Sequence, residues 1–565
     1  LRVIRIFIVY IIVVTFHSTT INAQNLNLKI KGKDSSETKF IDFLGYKKTF
    51  IDYKSLKIEI DTLLTSIQKH GYIAAHLNSI TKKDDSTFIA KLNLNKKYNT
   101  IYIYYNSDLF SKTILNSISE EVTPDYFVIS IKNSEEILSY LSSKITEKGL
   151  PFATLYLSNI ETKDTNTLKA TLNVSSNQQR TINNIVIKGY EKFPKPFIKY
   201  FLKIKEGSVF NLNEIKEKSK SLDALRFSSQ AKSPEVLFTK DSTSVYLYLE
   251  KAKSNTFDGF LGFVTDETTN RIKFNGYLDL NLTNNLNYGE SIALKYKSDE
   301  NDQVTFEAKA NLPYLFNSPI GLELSLNIFK RDTIFSTTSQ SANIFYQISP
   351  NQKIYAGIDA INSTNLLDIN TDQNLQDFNT VNYNIRYEYI KPQFNNTLFP
   401  INFLFDIKGG FGNREFEDTS ESQSIFRLNS FKIFNLNTKN SFYLRANGST
   451  IISDNYLTNE LLRFGGINSI RGFEENSILA SLYGIINSEY RYQLSPNIYV
   501  HSIIDLAYFE NDITNVKEKL FGFGFGFGLI TKAGLLRFNY ANGKTENQRF
   551  QLSDSKIQLS LNARF

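Results

Sequence analysis

Two patterns of apolar and polar positions divide the chain near residue 254. Before it, short alternating runs enclose stretches of helical period; after it the helical period disappears and alternation continues to the end. The first part carries the same order three times, over residues 24–98, 99–179 and 180–253. Each unit opens with a strand, passes through helical pattern and closes with two strands. In the first, LNLKIKG is the opening strand, and the run from Ser55 to His70 places Leu56, Ile60, Leu63, Leu64 and Ile67 on one helical face. In the second, TIYIYYN precedes a helix over Ser134–Lys148, and PFATLYLSNI and TLKATLNVS follow. The third runs from TINNIVIKGY through a helix around Asn213–Leu225 to EVLFTK and SVYLYLEK. The expected order is β-α-α-β-β throughout.

Residues 254–565 divide into sixteen alternating segments of about ten residues, the length a tilted membrane strand needs. They begin with TFDGFLGFV and end with KIQLSLNARF. Long connectors such as NREFEDTSES and NGKTENQRFQLSDS alternate with short ones such as SPNQ, NTK and TKA. PYLFNSP and KPQFNNTLFP are longer than that rule predicts. An even strand number returns the end of the chain to the side of the repeats. In the last segment Ile557, Leu559, Leu561 and Phe565 share one face, and Lys556, Gln558, Ser560 and Arg564 share the other. The expected fold class is therefore α+β repeats followed by an all-β transmembrane barrel of about 16 antiparallel strands.

Composition sharpens this picture. Aromatics make up 14% of the 565 residues, from 45 Phe and 32 Tyr, which suits interfacial girdles. Mean hydropathy is −0.27, too polar for a helical membrane protein. The net charge of +7 is scattered among acids with no basic block, so nucleic acid is not an expected partner. Cysteine is absent, which excludes disulfides and thiolate metal sites. At the start, Arg2 and Arg5 precede the apolar run Ile6–Phe16 and the cleavage-like Ile21-Asn22-Ala23, so residues 1–23 read as an export signal. The four histidines have no metal-ligand spacing, and no nucleophile elbow or phosphate loop occurs. No metal or cofactor is expected, and the chain does not read as an enzyme.

One connector differs from the rest. RFGGINSIRGFEEN, within residues 453–477, has Gly465, Gly466 and Gly472 around Ile470, Arg471 and Phe473. Such a loop is better explained folded into a lumen than in solvent, and there Arg471 needs a carboxylate partner. In the run Phe521–Gly528, phenylalanine and glycine alternate strictly. Phenylalanines would face lipid, while the glycines leave a bare inner stripe for the incoming loop.

These residues carry a resemblance. GG-INS-IRGF, a strand ending NSEYRY, then IIDLAYF, FGFGFGFGLITKAGLLRFNYANG and a closing aromatic strand resemble the BamA/TamA/FhaC superfamily of outer-membrane insertases and translocators. The repeats resemble its POTRA domains, and their number is closest to the TamA-like arrangement. The resemblance implies Glu489 and Asp505 as partners of Arg471, and alternation is compatible with both facing inward. The superfamily's glycine after the aspartate is replaced here by Ala507-Tyr508. It implies a site in the outer membrane of a diderm bacterium, with repeats in the periplasm and the C-terminal strand acting as an assembly signal. Implied partners are unfolded outer-membrane or surface protein clients, periplasmic or lipoprotein accessory factors, and outer-membrane lipid. The implied function is to insert or export such clients, through peptide binding at repeat edges and a barrel seam between Thr256–Val264 and Lys556–Phe565. The alternatives are a two-partner secretion pore for one exoprotein and a passive porin or receptor.

Overall fold

The computed structural model describes residues 25–175, 178–265, 272–298, 303–367, 372–393, 396–531, 534–549 and 551–564. The expected export signal and Phe565 lie outside the described residues. The chain forms two compact units, Leu1–Arg180 with Val209–Asn211, and Thr181–Ser208 with Leu212–Phe565.

The first unit holds two repeats. In repeat one, Leu26–Lys31 runs parallel to Thr87–Asn93, which pairs antiparallel with His76–Lys82. Helices Ser35–Leu44 and Tyr53–Lys69 cover that sheet. Asp34 and Asp52 cap them by accepting backbone N–H groups that no helical carbonyl can reach. Leu56, Ile60, Leu63 and Ile67 are buried on the sheet with Leu28, Ile30, Ala90 and Leu92, so the helical stripe was correctly read from its spacing.

Repeat two corrects the expected order. Thr100–Tyr104 is parallel to Thr167–Ser175, but Glu121–Val122 and Tyr126–Ser130 form an extra hairpin on its other side. The cause is visible in YFVIS, where Phe127 and Ile129 alternate inward and are buried. Only Lys112–Asn116 and Ser134–Glu147 are α-helical, so the order is β-α-β-β-α-β-β.

The second unit contains repeat three and the barrel. Asn184–Gly189 is parallel to Thr243–Lys251, flanked by Ser228–Phe238. The expected helix around Asn213–Leu225 is split into Leu212–Ser219 and a tighter turn over Lys220–Ala224. This repeat seats on two barrel turns. Asn284 donates to the Tyr190 hydroxyl at 2.7 Å, Phe197 meets Tyr314 edge-on at 4.8 Å, and the Tyr200 hydroxyl donates to the Asn317 carbonyl. Those contacts define the barrel's repeat-side mouth.

Sixteen antiparallel strands, from Thr256–Thr265 to Ser555–Arg564, close the barrel. Alternation places Val381, Tyr383 and Ile385 outward at 47–62% exposure, while Thr380, Asn382 and Asn384 are buried on the inner face. The strands depart from the expected uniform length, running from 8 residues (Ser291–Ser298) to 17 (Thr419–Asn435). NREFEDTSES is not a loop. Ile401–Phe416 and Thr419–Asn435 continue through it as a paired ribbon, turning at Glu417 with φ +48°. Polar side chains on both ribbon faces keep the backbone ladder without apolar contrast. Pairing is shortest where the first and last strands meet. Among the described residues they pair only at Thr256–Arg564 and Phe257–Ala563, whereas the first strand pairs with its other neighbour from Thr256 to Thr265.

Candidate functional site: the loop inside the barrel

The connector between strands Asn440–Ile452 and Leu482–Ser495 enters the lumen, and its stem is a small ladder, Leu462–Phe464 against Ile478–Ala480. The expected inward loop over 453–477 therefore continues to Ser481. Below the stem, Ser469 donates its N–H to the Gly466 carbonyl and accepts from Gly465 N–H at 3.1 Å, which turns the chain sharply. Ile470 is completely buried with Phe464, Ala480, Ile485, Ala507, Phe509 and Leu520, and Phe473 packs beside them. This apolar contact holds the loop against the wall while its polar tip points elsewhere.

The tip is Arg471. Its Nε and Nη2 donate to Asp505 at 2.8 and 2.6 Å, its backbone N–H adds a third bond at 3.0 Å, and Nη1 donates to Glu489. Asp505 has no exposed surface, and Arg471 and Glu489 have only 4% and 7%. A planar guanidinium meets one carboxylate in a fork and a second side-on, and Arg491 on Glu489 supplies the second positive charge that balances the two acids. The second carboxylate oxygen of Glu489 accepts from Arg491 Nε at 2.7 Å. Arg491 lies in the quoted NSEYRY two residues beyond Glu489, and strand alternation already puts both on one face.

Glycine admits the loop. Gly472 has φ +93°, and a Cβ there would strike the backbone of Asn542 and Gly543. At Gly522 a Cβ would strike the Arg471 carbonyl, so this position of the expected bare stripe is where the loop rests. The other glycines of the stripe face wall residues instead: Gly524 faces the backbone of Tyr540 and Ala541, Gly526 faces Asn539 and His501, and Gly528 faces Tyr499. Phe523, Phe525 and Phe527 point outward. In the last strand Ile557 and Leu559 are 65% and 67% exposed, and Lys556 reaches Glu474 of the loop at 3.0 Å. The side chain of Leu561 lies outside the described residues.

A second clamp, unread in the sequence, holds the loop's root. Buried Arg414 donates to Glu421 at 2.5 Å and to Glu460, which also accepts from Gln423. Asn459 donates to Ser363 and to the Gln376 carbonyl, both at 2.8 Å.

No family model matches the chain, and no curated protein matches it by sequence. Among solved structures, CdiB from Escherichia coli aligns over 90% of this chain and 98% of its own, with a TM-score of 0.53 at 13% identity. CdiB from Acinetobacter baumannii aligns over 80% and 86%, with a TM-score of 0.51 at 16% identity. The chain has the CdiB fold. BamA from Haemophilus ducreyi lacking POTRA domains 1–3 aligns over 77% and 93%, with a TM-score of 0.47 at 13% identity. Within this fold, the strands that carry the lumen loop pair with each other from Asn440–Tyr492 to Thr450–Leu482, so the loop enters without opening the wall, whereas the first and last strands share two pairs among the described residues.

Proposed function

We propose that the chain belongs to the BamA/TamA/FhaC superfamily and is a non-enzymatic outer-membrane factor that inserts or exports β-barrel or surface proteins. The repeats face the periplasm, where no nucleotide is available, so strand pairing and binding must supply the work. The observation that carries this reading is the two-pair junction between Thr256–Thr265 and Ser555–Arg564. Unpaired N–H and C=O groups along both edges offer an incoming strand the hydrogen bonds the barrel itself leaves unmade. The repeats add edges of their own, among them His76–Lys82 and Thr154–Asp164, which suit extended client segments. The Arg471 clamp keeps the lumen filled while the junction opens.

Because the chain lacks cysteine, a Thr256→Cys/Arg564→Cys pair can be joined with no competing thiol. The oxidised protein is expected to fail when it replaces the wild type in a depleted cell, and reduction is expected to restore it. Full activity with the junction locked would remove the seam from the mechanism. Quantifying the outer-membrane proteome after depletion tests the broader reading. Loss of several barrel or surface proteins is expected; loss of one exoprotein would mean a dedicated secretion pore, and no change a passive channel.

A further inference from the structure

Residues 396–400, which lead into Ile401–Phe416 on the repeat side, fold into the lumen. Leu398 and Phe399, at 4% and 8% exposure, pack with Ile433 and Tyr499. Phe399 meets Tyr499 edge-on at 4.7 Å. Its other neighbour is Arg491, whose guanidinium lies 4.5 Å from the Phe399 ring and 4.0 Å from Tyr443, between the two. An aromatic side chain on an arginine inside an apolar cleft is how proteins hold an aromatic ligand. Here the ligand is the chain's own.

Little ties that ring in place covalently or through the ladder. The turn is shaped by local bonds: Asn396 Oδ1 accepts from the N–H groups of Leu398 and Phe399 at 3.1 Å, and Gln393 donates to the Phe399 carbonyl at 2.6 Å. The flanking strands pair up to Pro392–Ile401, and Gln393 donates its N–H to the Pro400 carbonyl at 2.8 Å; Phe399 lies beyond the last pair, so its ring can turn out without unpairing the wall. Beside it lies a cavity of about 390 Å³, lined in part by Arg445, Arg491 and Arg537 with Glu489 as the facing acid. Arg471 is already engaged by Glu489 and Asp505, and among the described residues Arg445 bonds neutral groups, Asn429 and the Asn468 carbonyl. The cavity therefore carries surplus positive charge. Three of its lining residues, Asn487, His501 and Asn539, are more than nine-tenths buried; His501 and Asn539 interact with each other, and Asn487 Oδ1 has no partner among the described residues.

We propose that this cleft is a binding site for an extended polypeptide bearing an aromatic residue next to a carboxylate, and that Phe399 occupies it in the resting protein. The visitor's ring takes the place of Phe399 on Arg491, its carboxylate meets Arg445 or Arg537, and a backbone N–H donates to the unpartnered Asn487 Oδ1. Arg491 shares Glu489 with Arg471, so arrival at the inner mouth is felt at the tip of the lumen loop. That the visitor is a client rests on the transport reading; the cleft itself does not.

The full chain contains no tryptophan, so a tryptophan peptide reports without background. Acetyl-Thr-Asp-Trp-Thr-amide, titrated into detergent-solubilised protein by its emission shift, is expected to bind Phe399→Ala at least tenfold more tightly than wild type. Arg491→Gln in the same background is expected to abolish that gain, and a peptide with Asn for Asp to lose at least fivefold. Equal affinity for wild type and Phe399→Ala, or indifference to Arg491→Gln, overturns the proposal. Should Phe399→Ala fail to assemble, Asn396→Ala loosens the turn with the ring retained, and the same tightening is expected. Peptide binding of this pattern in a chain whose depletion leaves the outer-membrane proteome unchanged would keep the cleft and remove the transport reading. An altered proteome with no peptide binding would do the reverse.

Discussion

The barrel's two sides are built differently. At the junction, the first and last strands share two residue pairs. On the opposite wall, Phe378–Pro392 pairs with Ile401–Phe416 along its length, and that strand pairs with Thr419–Asn435 through the ribbon around Glu417. Side chains reinforce this wall. Arg386 donates to Asp406 at 2.5 Å, Glu388 at 3.0 Å and Glu323 at 3.1 Å, and Lys408 bonds Asp359 at 2.8 Å. Opening therefore costs least where the ladder is shortest among the described residues, and the rest of the cylinder can act as a rigid frame. The Arg471 loop docks between these regions, on strands Leu482–Ser495 and Ile498–Asn511 and against Gly522 and Gly543.

The sharpest way to break this comparison is to release the loop. Arg471→Ala leaves Glu489 and Asp505 buried with one arginine between them. Removing one partner of a buried ion pair costs about 3–5 kcal/mol. The barrel is expected to assemble, with a lower urea midpoint and no complementation of a depleted cell. Wild-type complementation would show that the clamp is structural decoration of the lumen.

Next in size is the opposite wall. Arg386→Met removes the donor shared by three carboxylates; Glu323 keeps Lys309 at 3.0 Å and Glu388 keeps the Tyr355 hydroxyl at 3.3 Å, so the loss falls mainly on Asp406, at about 1–3 kcal/mol for a buried acceptor left unmet. The urea midpoint should fall, yet complementation should persist because the junction is untouched. If Arg386→Met abolished complementation as fully as Arg471→Ala, the division into a frame and an opening edge would be wrong.

The sequence made parts of this plain and hid others for identifiable reasons. Strands such as Phe378–Pro392 are legible because Val381, Tyr383 and Ile385 contrast with Asn382 and Asn384 at every step. The ribbon around Glu417 was misread as a loop because its paired residues are polar on both faces, which erases the contrast. The hairpin in repeat two was missed because a two-residue strand, Glu121–Val122, leaves no period to detect. At the site, the contacts of Arg471 with Glu489 and Asp505 were anticipated through a resemblance. Spacing alone could not join residues 34 apart. Arg414 and Glu460 had no such guide, and Leu398-Phe399 looked like any turn. An apolar pair inside a polar connector was the available signal.

The smallest effects separate the docking surface from the wall around it. Gly522 and Gly484 are both strand glycines near the loop, but their surroundings differ. A Cβ at Gly522 would strike the Arg471 carbonyl and crowd Asp505, while at Gly484 nothing lies within 4 Å. Overpacking a filled site costs about 1–3 kcal/mol, so Gly522→Ala should lower the urea midpoint and weaken complementation by pushing the loop off the wall. Gly484→Ala meets only open space, and its narrower unfolded ensemble should stabilise the barrel by about 0.4–1 kcal/mol with complementation unchanged. The pair isolates docking from strand propensity, because both replacements add the same methyl group to the same kind of backbone. Equal responses at the two positions would mean that the loop does not rest on Gly522 in the working protein. The lumen would then be open where the structure closes it, and the contrast between a thin junction and a filled interior would lose its meaning.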